Sequence, residues 1–446
     1  MKQSKFYVLL AVLLLASMTF ASCAPAATPT QAPPTQPPAP TQAPASQAPA
    51  SQATAAVATP TTAATPVVFG IEHFGVIAGS TWGGAQDRAM KRIEAKYPNV
   101  KYIYLENVAP DQTNPFAEDW IAKQNANIVI GSAEFMGLPL KDIAPKYPNV
   151  YFGTVVASDL TTAPNFIRFF PRQDQALYLE GLIAGALTKT NVIGIVSAYP
   201  NIQVFHRQAG FVLGVQDAGK LLNKNITVYT KYVGSWYSPP DEKSIAETLV
   251  DTYKADVLTV ETDSSAAVDV AKAKGVWFIG KDMDIVGELH WGDTKTVAVS
   301  FDTRWEVIFE KILKDYMAGN KTPTLVYYPG METTMTLADG TVEPTVDLMN
   351  DGKVGLDAIS PTALPLIPKS ILDLLKQRRD QMMAGTWDPF TDHAFVSAGT
   401  GLALTTPTQI PIPAAGTVVK AAGVVPTVEF LLTQFNFDLQ GTTVLK

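Results

Sequence analysis

The sequence predicts an α/β fold made of two doubly wound lobes, and three observations carry that prediction. Short apolar runs alternate with helix-period segments, and the alternation starts again after Lys189. Setting aside a signal and linker at the N-terminus leaves about 380 residues, room for two lobes of ~100–200 residues each.

Val67-Val68-Phe69-Gly70-Ile71 opens the series as a strand. Ala89, Met90 and Ile93 repeat at helical spacing within a helix over 86–96, which Lys96-Tyr97-Pro98-Asn99-Val100 stops ahead of a strand over 101–105. Lys146-Tyr147-Pro148-Asn149-Val150 repeats that stop before a strand over 151–156. Both read as helix-to-strand turns, because the residue before a proline leaves the α region. A solenoid would also repeat, but the residues between show no further self-similarity. Ile128-Val129-Ile130-Gly131 is apolar throughout, as in a strand buried on both faces of a parallel sheet. A helix over 175–189 carries Leu177, Leu182, Ile183, Ala186 and Leu187; within it Gly181 and Gly185 read as positions that let the helix lie close on the sheet. The second series has strands over 192–196, 226–232, 257–260, 276–279 and 296–300, with helices over 204–218, 244–253 and 266–274. The expected divisions are a first lobe over 67–190, a second over 191–300, a crossover completing both over 301–393, and a C-terminal extension over 394–446. Within the extension 406–415 reads as irregular, and 428–435 as a last helix or strand near the cleft rim.

The N-terminus has its own logic. Lys2 and Lys5 precede an apolar segment over 6–16, too short for a stop-transfer helix, and Phe20-Ala21-Ser22-Cys23 offers small residues to a signal peptidase. The site resembles a bacterial lipobox with Phe20 where Leu is usual, so 1–22 reads as a signal and Cys23 as the acylated residue. The alternative is an ordinary secretory signal with an incidental cysteine. Several acyl chains, at roughly 0.8 kcal/mol per CH₂, anchor a protein stably. Residues 24–66 carry no charge and consist largely of Pro, Thr, Ala, Gln and Ser, the composition of a tether with a coil reach of roughly 35–40 Å. The expected location is therefore the extracytoplasmic side of a membrane.

Composition excludes several classes. Cys23 is the only cysteine, so no internal disulfide is expected. A net charge of -7 and a pI near 5.2, with no basic cluster, argue against nucleic acid. No later apolar run is long enough to span a bilayer. His73, His206, His290 and His393 lack ligand spacing, so no metal and no cofactor are expected. Gly214 to Lys220 has P-loop spacing, yet Leu221 stands where Ser or Thr is required and the segment reads as helix. No G-x-S-x-G elbow appears.

In doubly wound sheets, ligands bind beyond the carboxyl ends of the strands, here in a cleft between lobes. Trp82 follows the first strand in a glycine-rich loop, Trp236 follows 226–232, Asp263 follows 257–260, and Asp282 and Asp284 follow 276–279. Two indoles can sandwich a planar heterocycle, and carboxylates can accept hydrogen bonds from sugar hydroxyls. Each residue also has a plainer reading: core packing for a Trp, an N-cap for Asp263, a solvated turn for Asp282.

Tyr178-Leu179-Glu180-Gly181-Leu182-Ile183-Ala184-Gly185, Tyr232-Val233-Gly234-Ser235-Trp236-Tyr237, Glu261-Thr262-Asp263-Ser264, Lys274-Gly275-Val276-Trp277-Phe278-Ile279-Gly280 and Ala384-Gly385-Thr386-Trp387-Asp388-Pro389-Phe390 follow one another in a familiar order. Over roughly 67–391 the chain resembles the basic membrane protein family of ABC transporter substrate-binding lipoproteins, which includes purine nucleoside receptors. The resemblance implies a type I periplasmic-binding fold that closes on its ligand, and a permease with its ATPase as partners of a monomer. It implies that Trp82 and Trp236 stack a base, that Asp282 holds ribose hydroxyls, and that Asp263 and Trp305 line the cleft. The chain departs from nucleoside receptors at Gly79, where many relatives carry an acidic residue, and near Asp302, where a Lys is replaced by nothing nearer than Arg304. Two classes of function follow: a binding receptor for a nucleoside-like solute, or an extracytoplasmic nucleoside hydrolase or sensor, the hydrolase relying on Asp282 and Asp284.

Overall fold

The computed structural model describes residues 65–155, 163–320, 326–405 and 409–446. The signal, Cys23, the tether up to residue 64 and the expected strand end at Val156 lie outside the described residues.

The first lobe begins β1 (Val67–Glu72), α1 (Thr81–Lys96), β2 (Val100–Leu105), α2 (Thr113–Gln124), β3 (Ala126–Gly131), α3 (Gly137–Ile143), β4 (Tyr151–Val155) and β5 (Phe166–Phe169). Its strands run parallel in the order β2-β1-β3-β4-β5. Phe69 and Ile71 pack under α1, while Gly70 leaves room for Trp120 of α2, whose ring would stand 2.7 Å from any added Cβ. The two Tyr-Pro-Asn-Val stops make the same turn: Val100 N–H donates to the Tyr97 carbonyl at 2.9 Å and Val150 N–H to that of Tyr147 at 3.0 Å. α1 starts earlier than periodicity indicates, because Ser80 caps it, accepting the Gly83 N–H at 3.2 Å. That cap outweighs the low helix propensity of Gly83 and Gly84. Trp82 is thereby in the first helical turn and not in a loop.

From β5 the chain crosses through 170–172 into the second lobe: α4 (Gln173–Leu187), β6 (Val192–Ser197), α5 (Ile202–Leu222), β7 (Thr227–Tyr232), α6 (Pro239–Asp251), β8 (Val257–Val260), α7 (Ala266–Lys274), β9 (Trp277–Ile279) and β10 (Val297–Thr303). The order β7-β6-β8-β9-β10 repeats that of the first lobe. α8 (Trp305–Met317) and β11 (Val326–Tyr327) then return to the first lobe, where Ile308 and Phe309 join Phe69 and β11 pairs with β5. After the hairpin β12 (Thr334–Thr336) and β13 (Val342–Pro344), the chain re-enters the second sheet as β14 (Val346–Asn350), antiparallel to β10, with β15 (Lys353–Val354) at the edge. The connecting segments are tied together: Phe170 N–H donates to Tyr327 O at 3.0 Å, and Arg172 N–H to Pro329 O at 2.8 Å.

The lobe boundary differs from the expected 190. α4 is buried along its whole length against α5 and the second sheet, so the second lobe begins after 172. Helical periodicity reports that a helix is amphipathic, not which sheet it covers. The C-terminal residues are also not an appendage. After α9 (Lys369–Met383) and α10 (Pro389–Asp392) come β16 (Phe395–Gly401), β17 (Val418–Lys420), α11 (Val428–Thr433), β18 (Phe437–Leu439) and β19 (Thr442–Val444). β19 extends the second sheet beside β7, and Phe395, Phe435 and Phe437 share the core of α4 and α5.

Gly181 and Gly185 serve a helix–helix contact, not a helix–sheet one. A Cβ on Gly181 would collide with the Phe211 carbonyl of α5, and one on Gly214 with the Tyr178 carbonyl of α4. The P-loop-like Gly214 to Lys220 segment is part of this helix seam. Gly214→Ala should destabilise the protein by roughly 1–3 kcal/mol, the cost of overpacking a tight contact. Gly75→Ala, with open space around the added carbon, should be close to neutral. Urea midpoints for the two variants test the seam; equal effects would show that the backbones can separate cheaply.

Candidate functional site

Both sheets reverse strand order at their first strand, between β1 and β3 and between β6 and β8, and the segments leaving those strands face each other. Between them lies a cavity of about 280 Å³. The first lobe contributes Phe74, Trp82, Ser132, Phe135 and Phe166, and the second Asn201, Arg207, Trp236, Asp263 and Lys281. Thr81 Oγ1 donates to Asp263 Oδ1 at 3.2 Å across the cleft. Beside it, Arg88 of α1 reaches Glu288 at 2.8 Å and Asp302 at 2.6 Å in the second lobe.

Trp82 is held from behind. Its Nε1–H donates to the Ser132 carbonyl at 2.9 Å, and its ring meets Trp305 edge to face at 5.1 Å. Trp305 is completely buried among the residues of the first core and does not line the cavity. That corrects its expected place in the cleft wall: as the first residue of α8 it supports Trp82. Trp236 stands in the loop after β7, partly exposed beside Tyr199, and its carbonyl accepts the Asp263 N–H at 3.0 Å.

The polar floor is a buried charge network. Lys281 Nζ lies 2.7 Å from Asp263 and 2.8 Å from Asp282. Arg207 lies 2.8 Å from Glu261 and 3.4 Å from Asp282. Burial pushes the Glu261 carboxyl up to about 7 against the opposing pull of Arg207 and Lys281. It also raises Asp263, whereas for Asp282 the pull of Arg207 and Lys281 outweighs burial and leaves the group below its ordinary value.

Asp282 is a second correction. Fully buried at a left-handed φ of 63°, it accepts the Gln173 side-chain amide at 2.8 Å and is absent from the cavity wall. Its oxygens are occupied by Lys281, Arg207 and Gln173, so it positions the floor instead of meeting a ligand. Asp284 leaves the site too, its carboxylate accepting the N–H groups of Gly287 at 2.8 Å, Asp351 at 2.9 Å and Gly352 at 2.6 Å. Asp263 reaches the cavity and is not a helix cap; Ser265 is the residue before α7. Arg304 is buried on Asp302 and Glu343, away from the cavity. Sequence reasoning missed Phe74, Ser132, Arg207 and Lys281. Phe74 and Ser132 follow strand ends and were open to the same argument as Trp82, but Arg207 sits inside a helix and gave no such signal.

Next to Phe74, Glu72 ends β1 with neither carboxylate oxygen hydrogen-bonded among the described residues, and burial pushes its pKa from 4.5 up to about 9. Folded Glu72 thus keeps a proton that the unfolded chain releases near 4.5, so between these values stability falls as pH rises, by about 1.4 kcal/mol per pH unit for one proton. Glu72→Gln removes that slope. Unfolding free energies of wild type and variant, measured in urea from pH 5 to pH 9, should diverge steadily in the variant's favour; parallel profiles would mean that Glu72 is ionised.

Comparison with known proteins accords with this geometry. Residues 67–350 match the family model described as ABC transporter substrate-binding protein PnrA-like. A putative ABC transporter glucose-binding protein of Haloferax volcanii is 27% identical over 58% of this chain and 63% of its own length. A purine-binding protein of Brucella abortus is 29% identical over 46% of this chain and 57% of its own length. The chain thus spans less than two thirds of these curated relatives. A solute-binding protein of an ABC transporter system from Aeropyrum pernix K1 superposes with a TM-score of 0.57 at 16% identity, covering 72% of this chain and 92% of that one. One from Conexibacter woesei gives 0.54 at 17% identity over 72% and 98%. The two-lobed architecture is that of the type I periplasmic solute-binding proteins, and the chain belongs to the family of PnrA-like ABC transporter substrate-binding proteins.

Proposed function

We propose that this chain is the extracytoplasmic solute-capturing component of an ABC importer, and that its solute is a neutral heteroaromatic compound, a purine nucleoside before others. One observation carries the reading: indoles from opposite lobes, Trp82 and Trp236, line a single cavity whose floor is polar. An aromatic pair suits a flat ring, and the Brucella relative is named for purine binding. Neutrality is supported by Lys281, whose ammonium is already matched by Asp263 and Asp282 and so offers little to a phosphate or carboxylate. The tied connecting segments would act as the hinge, and the closed form would present both lobes to a permease. Cys23 and the tether would hold the receptor at the outer membrane face.

A sugar is the second reading, favoured by the Haloferax relative's name and by the way an indole also packs on the apolar face of a pyranose. Hydrolysis is disfavoured, since Asp282 and Asp284 are both committed to protein groups and leave no carboxylate pair to hold a water.

Calorimetry of the purified protein against nucleosides, free bases and monosaccharides distinguishes these readings, with intact nucleoside recovered from the complex as the expected result. Binding of monosaccharides alone would replace the nucleoside reading, and release of free base would restore the hydrolase. Trp236→Ala should weaken nucleoside binding by roughly 1–3 kcal/mol, the scale of stacking one base on an aromatic side chain; unchanged affinity would remove Trp236 from the site. Cys23→Ser should move the protein from the detergent phase to the aqueous phase in phase partitioning, and a variant that stays in the detergent phase would rule out the acyl anchor.

A further inference from the structure

Two of the segments that pass between the lobes, Phe170-Pro171-Arg172 and Tyr328-Pro329-Gly330-Met331, each carry a proline. A proline ring fixes its own φ at roughly −65°, so few torsions remain there at which the lobes can bend. Phe170 belongs to the first core and Met331 to the second, while the Tyr328 ring packs against both.

One carboxylate from far along the chain reaches both segments. Asp388, beyond the residues 67–350 that match the family, caps α10: its Oδ1 accepts the N–H groups of Phe390 at 3.0 Å and Thr391 at 3.1 Å. Its Oδ2 lies 2.5 Å from Arg172 Nη2 and accepts the Gln175 side-chain amide at 3.1 Å. Gln175 in turn accepts the Met331 N–H at 2.8 Å, so Asp388 holds the first segment directly and the second through one amide. Arg172 also lies 2.7 Å from Asp174, and its guanidinium covers the rings of Tyr328 and Phe390. The Tyr328 hydroxyl is bonded to His206 and stands 3.4 Å from Asp174. The Arg172 and Asp388 side chains are 16% and 20% exposed, so water screens this pair less than a surface pair.

We propose that Asp388 is a positioning residue for lobe closure: it fastens both connecting segments to the second lobe and so confines bending to Phe170-Pro171 and Tyr327-Tyr328. These two steps are neighbours, since the Phe170 N–H donates to the Tyr327 carbonyl at 3.0 Å, and together they define one axis. Tyr328 sits on that axis, where displacement is smallest and contact with both cores survives the motion. The second lobe, the connecting segments from Arg172 and Tyr328 onward, and α10 then move as one body. The assignment rests on the reading of the chain as a closing receptor and is independent of which solute it captures.

Asp388→Asn and Asp388→Ser keep an oxygen for the helix cap and remove the charge, and Asp174 still matches Arg172, so no cation is orphaned. Because Cys23 is the only cysteine, the full chain with Cys23→Ser takes spin labels specifically at Lys123→Cys on α2 and Lys243→Cys on α6, both exposed positions. The distance distribution between the labels is measured without ligand by pulsed electron double resonance, in this background and with Asp388→Asn, Asp388→Ser or Asp373→Asn added. Both Asp388 variants should widen the distribution roughly twofold, because bending spreads to more residues of the connecting segments. Asp373→Asn, which loses only an exposed pair with Lys369, should leave it unchanged. An unchanged width in whichever Asp388 variant is folded, or equal widening in Asp373→Asn, overturns the assignment. Circular dichroism showing both Asp388 variants unfolded overturns it too, since the carboxylate would then hold the second lobe together instead of positioning it. None of these results touches the nucleoside reading, which the calorimetry above decides.

Discussion

Two cations buried at the junction of cleft and core set the constraint to which this protein answers. Lys281 and Arg207 are each 2% exposed, and removing such charges from water costs several kcal/mol apiece unless partners stand close. Asp263, Asp282 and Glu261 supply that compensation, and they come from the ends of β8 and β9. Satisfying the cations therefore fixes how those strand ends sit relative to the start of α5. The same restraint puts Asp263 and Lys281 at the cavity surface and keeps Asp282 beneath it, a division of labour between carboxylates that composition does not reveal.

Around that floor the two lobes solve the same packing problem in different ways. The first buries its sheet under α1 and α8 on one face and α2 and α3 on the other. The second adds a close seam between α4 and α5, possible only because glycines face carbonyls where the helices touch. That seam carries Arg207 and Gln173 to the charge network, so the tight helix contact and the site geometry are parts of one structure. The C-terminal residues reinforce the same lobe through β19 and a cluster of phenylalanines.

Much of this was legible in the chain. The strand over 257–260 and the helix over 266–274 were readable to the residue, because β-branched and apolar runs ending in glycine or a capping residue have few alternatives. α2, α8 and α9 were not, since the helix pattern there is weak or its apolar face serves a distant lobe. Asp263 could be placed at a strand end by counting, and Trp82 on the cleft side of β1, though not in the helical turn it occupies. Trp305 could not, because its depth depends on α8 returning to the first sheet.

By itself the sequence determined the alternation of strand and helix, hence two doubly wound sheets and a cleft at their carboxyl ends, because side-chain periodicity is local and survives without knowledge of partners. Tertiary structure alone decided which charged groups reach solvent in that cleft. Asp282 and Lys281 are neighbours in the chain, yet one is sealed and the other lines the cavity, since a left-handed turn and the positions of Gln173 and Arg207 set their directions. Burial and pairing are properties of the assembled fold, and they separate residues that look alike in the chain.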